Sequence, residues 1–210
     1  MSGFSRERWA GLWRAASGTG NGGAWFDVLD AHYAEAHRHY HTTRHIGECL
    51  EAFDLARHLA KQPVAVELAL WFHDAIYDTH AADNEEKSAL LAERCLEDAP
   101  ADAALRSAVS HLILATKAHD ASHQEDVPLL VDIDLSILGA DEVRFLEYES
   151  QIRQEYAWVP EALFVQKRAE ILQRFLARER IYQTSWFFET HEERARANLR
   201  ASLALLRGGA

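Results

Sequence analysis

Three short stretches of the chain carry residue types that bind divalent cations. His45 closes a Thr42-Thr43-Arg44-His45 run, His73 and Asp74 are adjacent, and Asp132 and Asp134 lie far downstream. Each borders apolar sequence, which puts it near a core and not on a solvated face. A helix turns by about 100° per residue, so His73 and Asp74 can both reach a point off the end of one helix. His45 comes from the segment before them, and one of the two aspartates comes from a later one. Two neutral imidazoles and two carboxylates offset a divalent charge and leave octahedral positions open for water or substrate. Water held there has a lowered pKa and becomes a nucleophile near neutral pH. The donor set suits one divalent metal among Mn, Fe, Co, Zn, Ni or Mg.

The segments that must position these residues read as helices. Six of the ten glycines lie at positions 3 to 23 and two more at 208 and 209, leaving only Gly47 and Gly139 between. So few glycines cannot supply the tight turns of an all-β fold. Pro63, Pro100, Pro128 and Pro160 each precede an apolar periodic segment, where the first helical turn tolerates proline. Phe164, Val165, Ile171, Leu172, Phe175 and Leu176 form one apolar stripe at helical spacing. Residues 84–97, 102–118, 141–157 and 188–206 follow the same period.

Val64 to Phe72 is apolar nearly all round, with Glu67 its single charge, as in a helix buried at the centre of a bundle. It runs straight into His73 and Asp74, a polar pair that is costly there without partners. Val131 to Ile137 alternates like a strand, yet no second strand is evident to pair with it. We read it as helix, stopped by Gly139. Gly18 to Gly23 reads as a flexible link after a short N-terminal helix. It lacks the Lys-Ser/Thr and the preceding strand of a phosphate loop. The expected organisation is an N-terminal helix and link at 1–23 and one all-α helical domain at 24–207.

Composition removes other classes. Lys plus Arg is 22 against 33 Asp plus Glu, a net charge of −11, which argues against nucleic acid as a partner. No apolar run reaches the about 18 residues of a membrane span, and residues 1–16 lack the apolar core of a signal peptide. Cys49 and Cys95 make neither a disulfide framework nor a zinc knuckle. The expected location is the cytoplasm.

Tyr40-His41-Thr42-Thr43-Arg44-His45-Ile46, then Trp71-Phe72-His73-Asp74-Ala75-Ile76-Tyr77-Asp78, then Asp132-Ile133-Asp134-Leu135 resemble the HD superfamily of metal-dependent phosphohydrolases. The branch most similar is a bacterial one of unsettled substrate. Asp83 to Ala89, Ala115 to His119, Arg153 to Tyr156 and Glu193 to Leu199 extend the likeness to about residues 25–200. The resemblance implies a single-domain HD-type helical bundle whose histidines and aspartates hold a divalent metal. By motif the ligands are His45, His73, Asp74 and Asp134. Asp132 sits about 200° round the helix from Asp134, so the two cannot share one metal, and it is the fallback.

Some relatives of this kind carry an acid four or five residues after the motif histidine. Tyr77 holds the first of those positions here, so Asp78 and then Glu85 are the candidates for proton transfer. Arg44, Lys117 and His119 are candidates to bind phosphate, and His119 could instead bind a second metal. Arg153 and Arg168 lie farther along and are candidates to face the site. His37 and His41 share a helical face within a cluster that includes His32 and His39, but no carboxylate motif supports a site there. Trp9, Trp13, Trp25 and Phe26 read as packing residues.

The expected activity is hydrolysis of a small phosphate ester, such as a nucleotide or related phosphomonoester. Two alternatives stand beside it. A dinuclear-iron oxygenase would need further histidine ligands, for which only His111, His119 and His123 are at hand. A non-catalytic module would bind a metal and a nucleotide without turnover.

Overall fold

A computed structural model describes residues 3–20, 22–117 and 125–208. The described residues form helices joined by turns and loops, with no strand among them, as the glycine and proline distribution implies. The helices are α1 (Arg6–Ala15), α2 (Gly23–Tyr33), α3 (Thr43–Ala56), α4 (Pro63–Phe72) and α5 (Asn84–Asp98). They continue with α6 (Ala103–Thr116), α7 (Val127–Asp134), α8 (Glu142–Glu155), α9 (Glu161–Ala177) and α10 (Ser185–Gly208). Short 3-10 turns span Arg57–Leu59 and Leu135–Gly139. None of the described helices is long and apolar enough to cross a membrane. The chain divides into two compact units, Met1–Asp134 and Leu135–Ala210.

The first unit is built round α4. Pro63 opens this helix, where its missing N–H costs nothing, and every residue from Ala65 to Phe72 is buried. Helices α1, α3, α5, α6 and α7 all pack against it. Glu67 is the one charge in its middle, 4 % exposed, and would be prohibitive alone. Arg8 from α1 and Arg57 bracket its carboxylate at 2.7 and 2.6 Å. Buried from Ala65 to Phe72, α4 has no exposed face on which its final residues could turn to water.

The α1 helix docks on α4 through Trp9, whose ring lies 5.2 Å from Trp71 and 6.0 Å from Phe72. The glycine segment after it wraps the indole of Trp13: a Cβ on Gly18 or Gly22 would fall within 2.4 or 2.6 Å of that ring. Trp13 Nε1 donates to the Thr19 carbonyl and Trp9 Nε1 to that of Gly22, each at 2.8 Å. Ring packing and two indole N–H bonds thus tie a segment that reads as slack in sequence. Trp9, Trp13 and Phe26 are buried, in keeping with a packing role.

The strand-like residues 131–137 are helical. Val131, Ile133, Leu135 and Ile137 are all buried, and so is Asp132 between them. Helix α7 tightens into the 3-10 turn at Leu135, and Gly139 ends that turn.

The second unit holds α8, α9 and α10. Gly139 allows α10 to approach, since a Cβ there would lie 2.7 Å from the His191 Cβ. Asn198 donates to the carbonyls of Leu138 and Ala140 at 2.9 and 3.0 Å, which fastens the turn to the same helix.

Candidate metal centre

Two helix ends present the histidines. Thr42 caps α3, its hydroxyl accepting from the Arg44 N–H at 3.3 Å, so His45 lies in the first turn of a fixed helix. His73 directly follows α4, and its backbone N–H still bonds to the Ala69 carbonyl at 2.8 Å. The ring is oriented by a second bond, Nδ1 to the Leu70 carbonyl at 3.0 Å. A carbonyl only accepts, so Nδ1 carries the proton, and in the neutral ring Nε2 keeps its lone pair for the interior.

Four side chains converge. His45 Nε2 and His73 Nε2 are 3.2 Å apart. Asp74 Oδ2 lies 3.4 Å from the first and 3.2 Å from the second. Asp134 Oδ1 lies 3.3 and 3.4 Å from the same two nitrogens. Metal–ligand bonds of about 2.0–2.2 Å at angles of about 90–110° separate neighbouring ligand atoms by about 2.8–3.6 Å. All five separations lie in that interval. Two imidazole lone pairs at 3.2 Å repel unless a proton or a cation lies between or beside them.

The centre is sealed on its histidine side and open on its carboxylate side. His45 and His73 are 2 % and 1 % exposed, whereas the side chains of Asp74 and Asp134 are 21 % and 12 % exposed. Burial favours the neutral imidazole at His45, but Cys49 and Tyr40, then Asp134 and Asp74, outweigh it and hold its pKa well above the usual value. Burial acts the same way on His73, and Asp74 and Asp134 overcome it. Burial raises Asp74, yet His73, His41 and His45 hold it well below the ordinary carboxylate range. A divalent cation competes with protons for the same Nε2 lone pairs.

Cys49, one turn after His45 on α3, belongs to a His45, Cys49, His73, Asp134 group whose ligand atoms lie within 4.8 Å of one another, a group that could hold a metal ion. Its Sγ is 3.7 Å from His45 Nδ1 and 3.8 Å from Nε2. Near-equal distances place the sulfur beside the ring, off the Nε2 lone-pair axis. The thiol stands beside the His45 ring, whereas Asp74 Oδ2 lies closer to the Nε2 atoms of both imidazoles. The spacing of four within a helix is the signal that could have drawn attention to Cys49.

The remaining candidates lie as follows. Asp78 turns its carboxylate to the His80 N–H at 2.8 Å, while Asn84 closes the same loop on the Asp78 backbone. Glu85 stands in the first turn of α5, and its charge acts on Lys117. Lys117 bonds to the Ala82 carbonyl at 2.7 Å and to Glu86. Arg44 pairs with Glu48 at 3.1 Å. His119 and His123 lie outside the described residues, and His111 is exposed on α6. In the second unit, Arg168 bonds to Glu149 and Tyr148, and Arg153 to Glu161 and the Tyr156 carbonyl. Asp132 is fully buried on α7.

The histidine cluster before α3 divides. His37 Nε2 bonds to the Tyr77 carbonyl at 2.8 Å. His41 stacks on the Tyr77 ring at 4.1 Å and brings its Nε2 to 4.0 Å from Asp74 Oδ2. It borders the centre, a role its sequence neighbourhood did not suggest. No family model, curated protein or solved structure matches the chain.

Proposed function

We propose that the protein is a metal-dependent phosphohydrolase acting on a small phosphate ester, a nucleotide or a related phosphomonoester. The observation that carries this reading is the convergence of His45, His73, Asp74 and Asp134 on one point at cation spacing. A divalent ion bound there would supply an acidified water and polarise a phosphoryl oxygen. The resemblance of the three motif stretches to HD-type enzymes supports the choice of phosphate esters over other substrates.

In this reading the chain's own groups do the rest. The sealed imidazoles hold the ion, and the exposed edges of Asp74 and Asp134 give onto the side from which substrate enters. Glu85 or Asp78 handles the proton of the attacking or leaving oxygen. Asp78 must leave the turn it caps to do so, whereas the described contacts of Glu85 impose no such release. Arg44 and Lys117 balance phosphoryl charge once they leave Glu48 and Glu86, and His119, outside the described residues, is the third candidate for that role.

The test is elemental analysis of the purified protein, followed by a screen of nucleotides and sugar phosphates with each metal added back. His73→Ala and Asp74→Ala should lose both metal and turnover. Metal with tight nucleotide binding but no turnover would replace the enzyme with a binding module. A coloured preparation with two irons per chain would point to an oxygenase.

A further inference from the structure

We propose that Arg38 is a positioning residue of the metal centre: its guanidinium sets how Asp74 meets the two imidazoles and holds His41 against the same carboxylate. The inference rests on the metal reading of the cluster and adds a residue to it.

Arg38 lies in the loop between α2 and α3, and its side chain is 0 % exposed. Nε donates to Glu35 Oε2 at 2.9 Å. Nη1 donates to two backbone carbonyls, those of Asp74 at 2.7 Å and His41 at 3.1 Å. Nη2 donates to the Ala75 carbonyl at 2.9 Å. The flat cation also stands 5.3 Å from the Tyr33 ring and 5.5 Å from the Tyr77 ring. Glu35 meets its charge and carbonyls take three of its other four N–H groups, so it is not disposed as an anion clamp.

These bonds fall where the helix no longer dictates the backbone. Helix α4 ends at Phe72, and the chain turns away through His73, Asp74 and Ala75. Carbonyls past a helix end need partners from elsewhere. With the carbonyls of Asp74 and Ala75 held by two nitrogens of one rigid fork, the direction of the Asp74 Cα–Cβ bond is set. The nitrogen that holds Asp74 also holds His41, so two loops distant in sequence share one origin. Their side chains then meet at 4.0 Å, with the His41 ring laid on Tyr77. Lysine carries the same charge but cannot reproduce three nitrogens in a plane.

The test uses the full chain, stripped with chelator and titrated with Co²⁺ while the visible absorption is recorded. Arg38→Lys should keep its helical circular dichroism and melt cooperatively in chelator, at a temperature lowered by the carbonyl hydrogen bonds it loses. It should bind Co²⁺ about tenfold or more weakly, with an altered visible band, as expected when support for a ligand is lost. Arg38→Ala should behave likewise and recover affinity in low-millimolar guanidinium but not in equal sodium chloride. Arg38→Lys with the wild-type affinity and spectrum would overturn the proposal, and so would a Lys variant that loses its fold in chelator. If Arg38→Ala does not fold, the Lys variant decides. A wild-type chain that takes up no Co²⁺ would instead overturn the metal reading beneath it.

Discussion

Arg168 in the second unit and His73 in the first are both nearly sealed from water, at 7 % and 1 % exposure, yet their charges are met differently. Arg168 bonds to Glu149, which also accepts from the Ser202 hydroxyl at 2.7 Å, and to the Tyr148 hydroxyl at 2.9 Å. In the same unit Glu192 accepts from the backbone N–H groups of Ile181 and Tyr182 at 3.0 and 3.1 Å and pairs with Arg196 at 2.7 Å. Those pairs are closed, because arginine keeps its charge at any working pH. In the first unit Asp74 and Asp134 face imidazoles, which give up their proton far more readily than a guanidinium does. A closed pair holds a fold, whereas an acid set against titrating bases leaves room for an exchangeable cation. Burial alone does not mark a functional site; the kind of partner does.

The largest effect should come from breaking a closed pair. Glu192→Ala leaves the buried N–H groups of Ile181 and Tyr182 without their acceptor and takes the carboxylate from Arg196, which keeps the carbonyls of Leu176, Arg178 and Glu179. At about 1–3 kcal/mol for each orphaned N–H it should cost about 2–6 kcal/mol in urea denaturation followed by circular dichroism, with metal uptake unchanged. A stable Glu192→Ala chain would remove the distinction between closed pairs and the open set.

The open set should respond to cation and not to truncation alone. A divalent metal at a hundredfold above its dissociation constant should stabilise the wild type by about 2.7 kcal/mol. The same metal should give His73→Ala no such gain. Equal stabilisation of both chains would place the binding elsewhere.

Gly139→Ala tests close approach in the second unit. Its Cβ would meet His191 at 2.7 Å, and overpacking of that kind should cost about 1–3 kcal/mol. An alanine variant with the wild-type urea midpoint would show that the helix can move aside.

The smallest effects are those of pH, and they differ in sign. In chelator, the raised pKa values of His45 and His73 add stability that is complete below about 6.5 and lost as pH rises through their folded values. Asp74, with its lowered pKa, adds stability above about 3.9 that is lost as pH falls through its folded value. Burial and Arg194 push His191 down to about 4, so the second unit loses stability as pH falls from about 6.5 toward that value. Urea midpoints across this range should therefore fall on the alkaline side through the first unit and on the acid side through both. A midpoint that does not change above pH 6.5 in chelator would contradict the histidine assignment.

Much of the first unit is legible from local sequence. The apolar run into His73 and Asp74 identifies both the central helix and the polar pair at its end, because nearly every residue of α4 faces protein. At residues 131–137 the same property hides the helical period, and the helix is legible only because no second strand is evident in the sequence to pair with the segment. A segment buried on nearly all sides has no solvated face to display its period, and the switch to a 3-10 turn at Leu135 changes that period again. The boundary between Asp134 and Leu135 falls inside the alternating run from Val131 to Ile137, which has no glycine or proline to announce it. Arg38 and His41 could not be read as part of the centre. Arg38's partner carbonyls lie 36 and 37 residues downstream, and the loop that carries both residues has no periodicity to aim a side chain.

The direct trial of the centre is the number of divalent ions bound per chain, measured by Co²⁺ titration of chelator-stripped wild type and of His45→Ala, His73→Ala and Asp134→Ala. One ion per wild-type chain, lost in all three folded variants, is the predicted result. Full occupancy in any variant that retains its fold, or no ion in the wild type, would contradict it.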